Sequence, residues 1–463
     1  MDDIVGSLIA AARVAQRQFE RYDQDAVDAV VVAAGWAIIQ PQRNRALAEM
    51  AVRDTGLGVV EDKITKNHRK TLGLLRDLKG ARSVGVIAEY PDLGIVEIAR
   101  PVGVVAAITP STNPGATPAN KIINALKGRN AVIVAPSPKG ASTCAALIEF
   151  VNAELAKVGA PPGLVQMLPS PVTKDATHGL MRGADLVVAT GSQANVRAAY
   201  ASGTPAFGVG AGNVAAIIDT SANLAEAATS IARSKTFDNA TSCSSENSVV
   251  ILGAVYDAAL DALSAVGGVL LDDDEKTRLQ QTMWHNGKLN PRTTAQSTAN
   301  IASLAGLARP ELSRAAFLMV REEGAGPECP FSGEKLAPVM AVYRARDFDH
   351  ACSIVARIYA YQGAGHSVGI HSADDAHILR LGLELPVSRV IVNQIHCYAT
   401  GGSFDNGLPF SLSMGCGTWG RNNFSDNMNY RHYLNITRVS RRIPERMPLL
   451  EDIFGEYFSQ YGR

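Results

Sequence analysis

Val102-Gly-Val-Val-Ala-Ala-Ile108, the helix-length Pro118-Ala-Asn-Lys-Ile-Ile-Asn-Ala-Leu126 and then Ala131-Val-Ile-Val134 form the stretch whose reading decides the fold. The apolar runs are short, lack polar alternation and end near Gly or Pro, the pattern of strands covered on both faces. The same rhythm continues through Ser142 to Val158, Val165 to Leu168 and Asp185 to Ala189. Strands alternating with helices at this spacing predict a mostly parallel sheet of dinucleotide-binding type. Towards the N-terminus, residues 2–51 have helical periodicity and read as a helical lead-in. Towards the C-terminus a second α/β block begins near Gly212 and runs to about residue 400, through Val214 to Ile218, Ser248 to Leu252 and Val390 to Val392. The tail from Gly415 differs. Asn422-Asn-Phe-Ser-Asp-Asn427 is loop-like, and Tyr433 to Val439 alternates like an exposed strand, a candidate for pairing with another subunit.

The 463 residues are 46% hydrophobic, enough for two or three domains. Lys+Arg and Asp+Glu balance at 44 each, with no long run of one sign, so neither a nucleic-acid footprint nor a membrane-surface patch is expected. The acidic Met1-Asp2-Asp3 start lacks the character of a secretory signal, and the apolar stretch Val27 to Ile39 is broken by Asp28 and Gly35; a cytoplasmic protein is expected. The six cysteines are scattered without a Cys-x-x-Cys, which argues against a disulfide framework or structural zinc. His366, His371 and His377 with Asp374 and Asp375 have spacings that do not share a helical face, so no metal is expected.

Cys144, Cys352 and Cys397 have apolar neighbours and read as buried hydrophobes. Cys243 sits among Ser, Thr, Asn and Glu between a helical stretch (Ala225 to Ser234) and a strand-like one, where α/β loops present chemistry; local sequence leaves a reactive thiol and a packing residue both open. The turns Gly191-Ser192 and Gly208-Val-Gly-Ala-Gly212 could admit a phosphate, or could be no more than tight turns.

Thr55-Gly-Leu-Gly-Val-Val-Glu-Asp-Lys63, Pro101-Val-Gly-Val-Val, Pro110-Ser-Thr-Asn-Pro114, Phe237-Asp-Asn-Ala-Thr-Ser-Cys243, Glu334-Lys-Leu-Ala-Pro338 and Leu412-Ser-Met-Gly-Cys-Gly-Thr-Trp-Gly420 occur in this order. With them the chain resembles the aldehyde dehydrogenase superfamily over nearly its full length, specifically its CoA-acylating branch. The tail Ser425 to Ser440 looks most like that of the acylating sulfoacetaldehyde dehydrogenases. The resemblance implies two Rossmann-type α/β domains plus a small β oligomerisation flap. Boundaries are expected at 1–210 (cofactor binding, with 85–100 contributing to the flap), 211–405 (catalytic) and 406–463 (tail and oligomerisation strand). It implies a homodimer or homotetramer. Cys243 becomes the nucleophile and Asn113 the side-chain donor of an oxyanion hole completed by the Cys243 backbone N–H. Glu334 falls where the family holds the nicotinamide ribose, Gly191 and Ser192 at the pyrophosphate, and Pro110 and Gly210 among the cofactor contacts.

Two departures sharpen the reading. Hydrolytic members carry a glutamate base where the alignment puts Gly208, so water is poorly activated here and a thiol such as coenzyme A is the better acceptor of the acyl group. In Ala135-Pro-Ser-Pro-Lys139 no carboxylate opposes a 2′-phosphate, and Ser137 and Lys139 could bind one; NADP is expected, with NAD the alternative. The expected substrate is sulfoacetaldehyde, whose sulfonate calls for a cation; Arg421 is the first candidate, with Arg431 and His432 in the same tail. Acetaldehyde or another short aldehyde, hydrolysis to a free carboxylate, and a silent assembly protein remain the alternatives.

Overall fold

The computed structural model describes residues 2–463. Its first sheet has five parallel strands in the order Val165–Met167, Ala131–Pro136, Val104–Thr109, Leu186–Thr190, Ala206–Val209. The chain starts this sheet in the middle, winds outward to one side and returns to the other, so a topological switch point lies between Val104–Thr109 and Leu186–Thr190. Every residue of Val104–Thr109 and Ala131–Pro136 is buried, which is why neither strand alternates. Lys121, wholly buried on helix Ala116–Lys127, donates to the carbonyls of Ile108 and Val188 at 2.7 Å each and ties the two strands together at that point.

The helical lead-in forms as its local chemistry dictates. Asp23 caps helix Gln24–Ile39 by accepting from Ala26 N at 2.9 Å, Pro41 opens helix Pro41–Thr55, and Gly56 closes that helix in the left-handed conformation. Helix Gln24–Ile39 packs against Ala116–Lys127 and Ala141–Lys157 over the first core.

A second sheet of seven parallel strands runs Gly268–Leu270, Phe317–Arg321, Val339–Ala345, Glu246–Leu252, Val214–Ile218, Val368–His371, Val390–Val392. A third, antiparallel sheet joins Gly85–Tyr90, Ile95–Pro101 and Leu434–Ser440. The alternating tail strand therefore finds its partner within the chain, from Leu434 opposite Pro101 to Ser440 opposite Ile95, and leaves its other edge open. The tail ahead of it is not a separate layer: Phe410, Phe424, Met428 and Tyr433 enter the core of the first sheet, and Asn130 Nδ2 donates to Tyr433 O at 2.9 Å. Among the described residues no helix is long and apolar enough to cross a membrane.

Candidate active site

Helix Leu224–Thr236 ends at Phe237, and the chain then takes Asp238, Asn239 and Ala240 through the left-handed region at φ 53°, 50° and 58° before reaching Cys243. Each such residue without glycine's freedom costs about 1 kcal/mol or more, so the loop must be held from outside. Asp238 does the holding. Its Oδ1 accepts from Val59 N at 2.8 Å, and its Oδ2 accepts from Lys66 Nζ at 2.6 Å, Thr241 Oγ1 at 2.6 Å and Lys63 Nζ at 3.1 Å. Its own N–H donates to Asp62 Oδ2 at 2.8 Å. Burial alone would raise the Asp238 carboxyl, but the Lys66 and Lys63 charges hold it below its usual value; burial brings Lys63 down to about 8. Gly58 leaves the room: at φ 81° a Cβ there would lie 2.0 Å from Asp238 Oδ1.

The same lysine reaches the oxyanion side. Lys66 Nζ donates to Asn113 Oδ1 at 2.9 Å, which fixes the amide and turns its NH2 away from the lysine. On the other flank, Cys243 Sγ lies 3.5 Å from His366 Nε2. Burial, with the Glu334 and Cys416 charges, pushes the Cys243 thiol up to about 12. Burial, with the nearby Arg389, pulls His366 down to about 3, so the imidazole is neutral. His366 Nδ1 lies 2.8 Å from Ser367 Oγ, which lies 2.9 Å from His396 Nε2. The chain can be satisfied in either direction; with His366 Nδ1–H donating to Ser367 and the Ser367 hydroxyl to His396, His366 Nε2 is left to accept the thiol proton. Gly212 lets the strands close on this pair, because a Cβ there would meet Cys243 O at 2.5 Å and His366 Cδ2 at 2.9 Å. Arg389 donates to His366 O and Gly415 O at 3.0 Å each, fastening the tail beside the histidine.

A cavity opens between Asn113 and the residues flanking the nucleophile, Ser242 and Ser244, and Lys66, Arg69 and Lys70 contribute its cations. Arg421, Arg431 and His432 are not among its lining. Arg421 is exposed and ends the turn Thr418–Gly420. Arg431 lines a separate cavity against the antiparallel sheet with Tyr90 and Glu97. His432 packs edge-on to Phe207 and Phe424, with Nε2 3.2 Å from Asp426 Oδ1. Gly208 leaves no space for a carboxylate: even a Cβ would sit 2.6 Å from Val196 Cγ1.

Pro110, Ser137, Gly191 with Ser192, and Gly210 each follow the C-terminal end of a strand of the first sheet, on both sides of its switch point. Lys139 is exposed in the turn Pro138–Gly140. Gly191 (φ 145°) stands against Pro110, and Ser192 caps helix Gln193–Tyr200 by accepting from Asn195 N at 3.3 Å. A helix N-terminus at a switch point, with glycine backbone free to approach, fits the pyrophosphate of a dinucleotide. Glu334 comes from the second sheet's side and accepts from Gly212 N at 3.3 Å; burial raises its carboxyl to about 8.

His366, Ser367, His396, Lys66, Asp238 and Arg69 have no site role in the sequence reading. Lys63, Lys66 and Lys70 recur on one helical face, which in sequence reads as a solvated one; Asp238, the carboxylate that Lys63 and Lys66 share, lies over 170 residues away. Comparison with known proteins adds independent observations. Residues 2–279 match the aldehyde dehydrogenase family. The chain is 66% identical over 461 residues to the sulfoacetaldehyde dehydrogenase (acylating) of Cupriavidus necator, covering 100% of this chain and 94% of that protein. It is 41% identical over 464 residues to the protein of the same name from Bilophila wadsworthia, covering 99% of each. The crystal structure of an acetylating aldehyde dehydrogenase from Geobacillus thermoglucosidasius superposes with a TM-score of 0.93 at 35% identity, over 97% of this chain and 98% of that one.

Proposed function

This chain belongs to the aldehyde dehydrogenase family, and from that premise we propose that it is the CoA-acylating enzyme that converts sulfoacetaldehyde, CoA and NAD(P)+ to sulfoacetyl-CoA and NAD(P)H. The observation that carries the chemistry is Cys243 Sγ 3.5 Å from a neutral His366.

Cys243 attacks the aldehyde carbon while its proton passes to His366 Nε2. Negative charge develops on the former carbonyl oxygen, where the Asn113 NH2 and the Cys243 backbone N–H receive it; such a donor stabilises the transition state by about 3 kcal/mol. Bound nicotinamide supplies the hydride acceptor, and Glu334, Gly191, Ser192, Pro110 and Gly210 are the residues that would hold the dinucleotide. Where hydrolytic members carry their glutamate base this sequence has Gly208, so water is poorly activated toward the resulting thioester on Cys243. His366, once its proton has left to solvent, takes the proton of the CoA thiol; that thiolate attacks the thioester carbon and Cys243 departs. The order is ping-pong, with reduced cofactor leaving before CoA enters.

Ser137 and Lys139 beyond the strand Ala131–Pro136 support NADP over NAD, because both can bind a 2′-phosphate and no carboxylate stands in Ala135-Pro-Ser-Pro-Lys139 to repel it. The open edge of Leu434–Ser440 and the apolar side chains exposed on helix Leu450–Tyr461 support a homodimer or homotetramer. The test is a panel of aldehydes with and without a terminal sulfonate, assayed with CoA and each dinucleotide, with the product identified by mass. Sulfoacetyl-CoA should dominate, with turnover faster on NADP. Reduced cofactor at full rate without CoA would refute the acylating assignment, and a tenfold preference for NAD would refute the cofactor assignment.

A further inference from the structure

We propose that Arg69 recognises the anionic end of the substrate and so sets selectivity for a sulfonate-bearing aldehyde over a neutral one; this rests on the function proposed above. Lys66, Arg69 and Lys70 all line the cavity beside Ser242 and Ser244, and counting their protons separates them. Lys66 spends its three on Asp238 Oδ2, Asn113 Oδ1 and Thr241 Oγ1 at 2.6, 2.9 and 3.1 Å. Lys70 spends its three on the carbonyls of Tyr398, Gly401 and Gly402 at 3.2, 3.0 and 3.0 Å, and burial pulls it down to about 7. Arg69 makes a single long hydrogen bond, Nη2 to Ser403 Oγ at 3.5 Å, and forms no ion pair among the described residues.

Its position is nonetheless held by aromatic rings. The guanidinium lies 5.0 Å from the Tyr398 ring centre and 5.2 Å from that of Phe404. With the rings beside it and a single long bond to Ser403, most of its N–H donors remain for a ligand, and a guanidinium's paired N–H groups match two oxygens of a sulfonate. Arg69 shares helix Val60–Leu78 with Lys66, which orients Asn113. One rigid element thus sets both the anion clamp and the oxyanion donor, and with them the spacing from sulfonate to reacting carbon. An uncharged aldehyde gains nothing from this arginine.

The experiment measures kcat and KM for sulfoacetaldehyde and acetaldehyde with the full-length protein at saturating CoA and cofactor, in wild type, Arg69→Gln, Arg69→Lys and Arg421→Ala. In Arg69→Gln the ratio of kcat/KM for sulfoacetaldehyde over acetaldehyde should fall about a hundredfold, chiefly through KM for sulfoacetaldehyde, with Arg69→Lys in between. Ethanesulfonate should inhibit acetaldehyde oxidation competitively in wild type, a readout that needs no variant to fold. An equal loss on both aldehydes, a ratio that moves in Arg421→Ala but not in Arg69→Gln, or no inhibition by ethanesulfonate would overturn the assignment. A wild type that does not form sulfoacetyl-CoA at all would instead contradict the function on which it rests.

Discussion

The two flanks of the loop from Asp238 to Ser244 use opposite electrostatics. On the Asp238 flank, charges are packed together: Lys63 and Lys66 converge on one fully buried carboxylate. On the Cys243 flank, burial drives each group towards its neutral form, the thiol up to about 12, Glu334 up to about 8 and His366 down to about 3. Paired charge supplies rigid position, since a buried ion pair is costly to break. Neutral, desolvated groups resist ionising singly, so the thiol proton has to pass to the imidazole as the aldehyde is attacked and not before it.

The most severe way to test the division is to remove the reacting atom. Cys243→Ser should lower kcat by about 10⁴-fold or more while leaving the urea midpoint near that of wild type, because the strained loop is held by Asp238 and not by the thiol. Asp238→Asn attacks the other flank. It leaves two buried lysines without their counterion and should destabilise the fold by about 3–5 kcal/mol in urea unfolding, with activity falling because Lys66 no longer fixes Asn113. If Asp238→Asn were as stable as wild type, the ion pairs would not be what holds the loop.

His366→Ala should reduce turnover by about 10²–10³-fold and, because it leaves a cavity beside Ser367, should also cost about 2–3 kcal/mol in urea unfolding. The raised thiol is protonated below about 12 and the lowered imidazole is neutral above about 3, so the resting pair is thiol and imidazole throughout the working range. Alkylation of Cys243 by iodoacetamide should therefore rise about tenfold per pH unit from pH 6 to 9. A plateau near neutrality would reveal a thiolate–imidazolium pair instead.

Glu334 gives the smallest effect. Its carboxyl holds a proton in the folded chain up to about 8, against 4.5 for a free side chain, so the contribution is full below 4.5 and is lost as pH rises through about 8. Glu334→Gln should gain in Tm relative to wild type as pH rises across that window. A Tm difference that does not change with pH would show the carboxyl to be unperturbed.

The strands that decide the fold are legible because burial on both faces leaves Val104–Thr109 and Ala131–Pro136 wholly apolar up to their last residues. Gly268–Leu270 and Val368–His371 are absent from the sequence reading, as are the longer Phe317–Arg321 and Val339–Ala345, whereas the equally short Val165–Met167 and Val390–Val392 are in it, so strand length alone does not decide legibility. The tail reads as an open strand, since alternation says nothing about which strand it will meet, and it meets Ile95–Pro101. At the site, Cys243, Asn113 and Glu334 come from recognisable motifs. Arg69 and Lys66 do not, because charged residues on an amphipathic helix normally face water, and only the fold brings Asp238, Tyr398 and Phe404 against them.

The measurement that bears most directly on Cys243 as an acyl carrier is a single-turnover reaction with sulfoacetaldehyde and NADP+ in the absence of CoA, followed by absorbance and intact mass. One equivalent of reduced cofactor should form in a burst, the chain should gain the mass of one sulfoacetyl group, lost in Cys243→Ser, and added CoA should discharge it as sulfoacetyl-CoA. Continuous formation of reduced cofactor and free sulfoacetate without CoA, with no acylated chain, would contradict it.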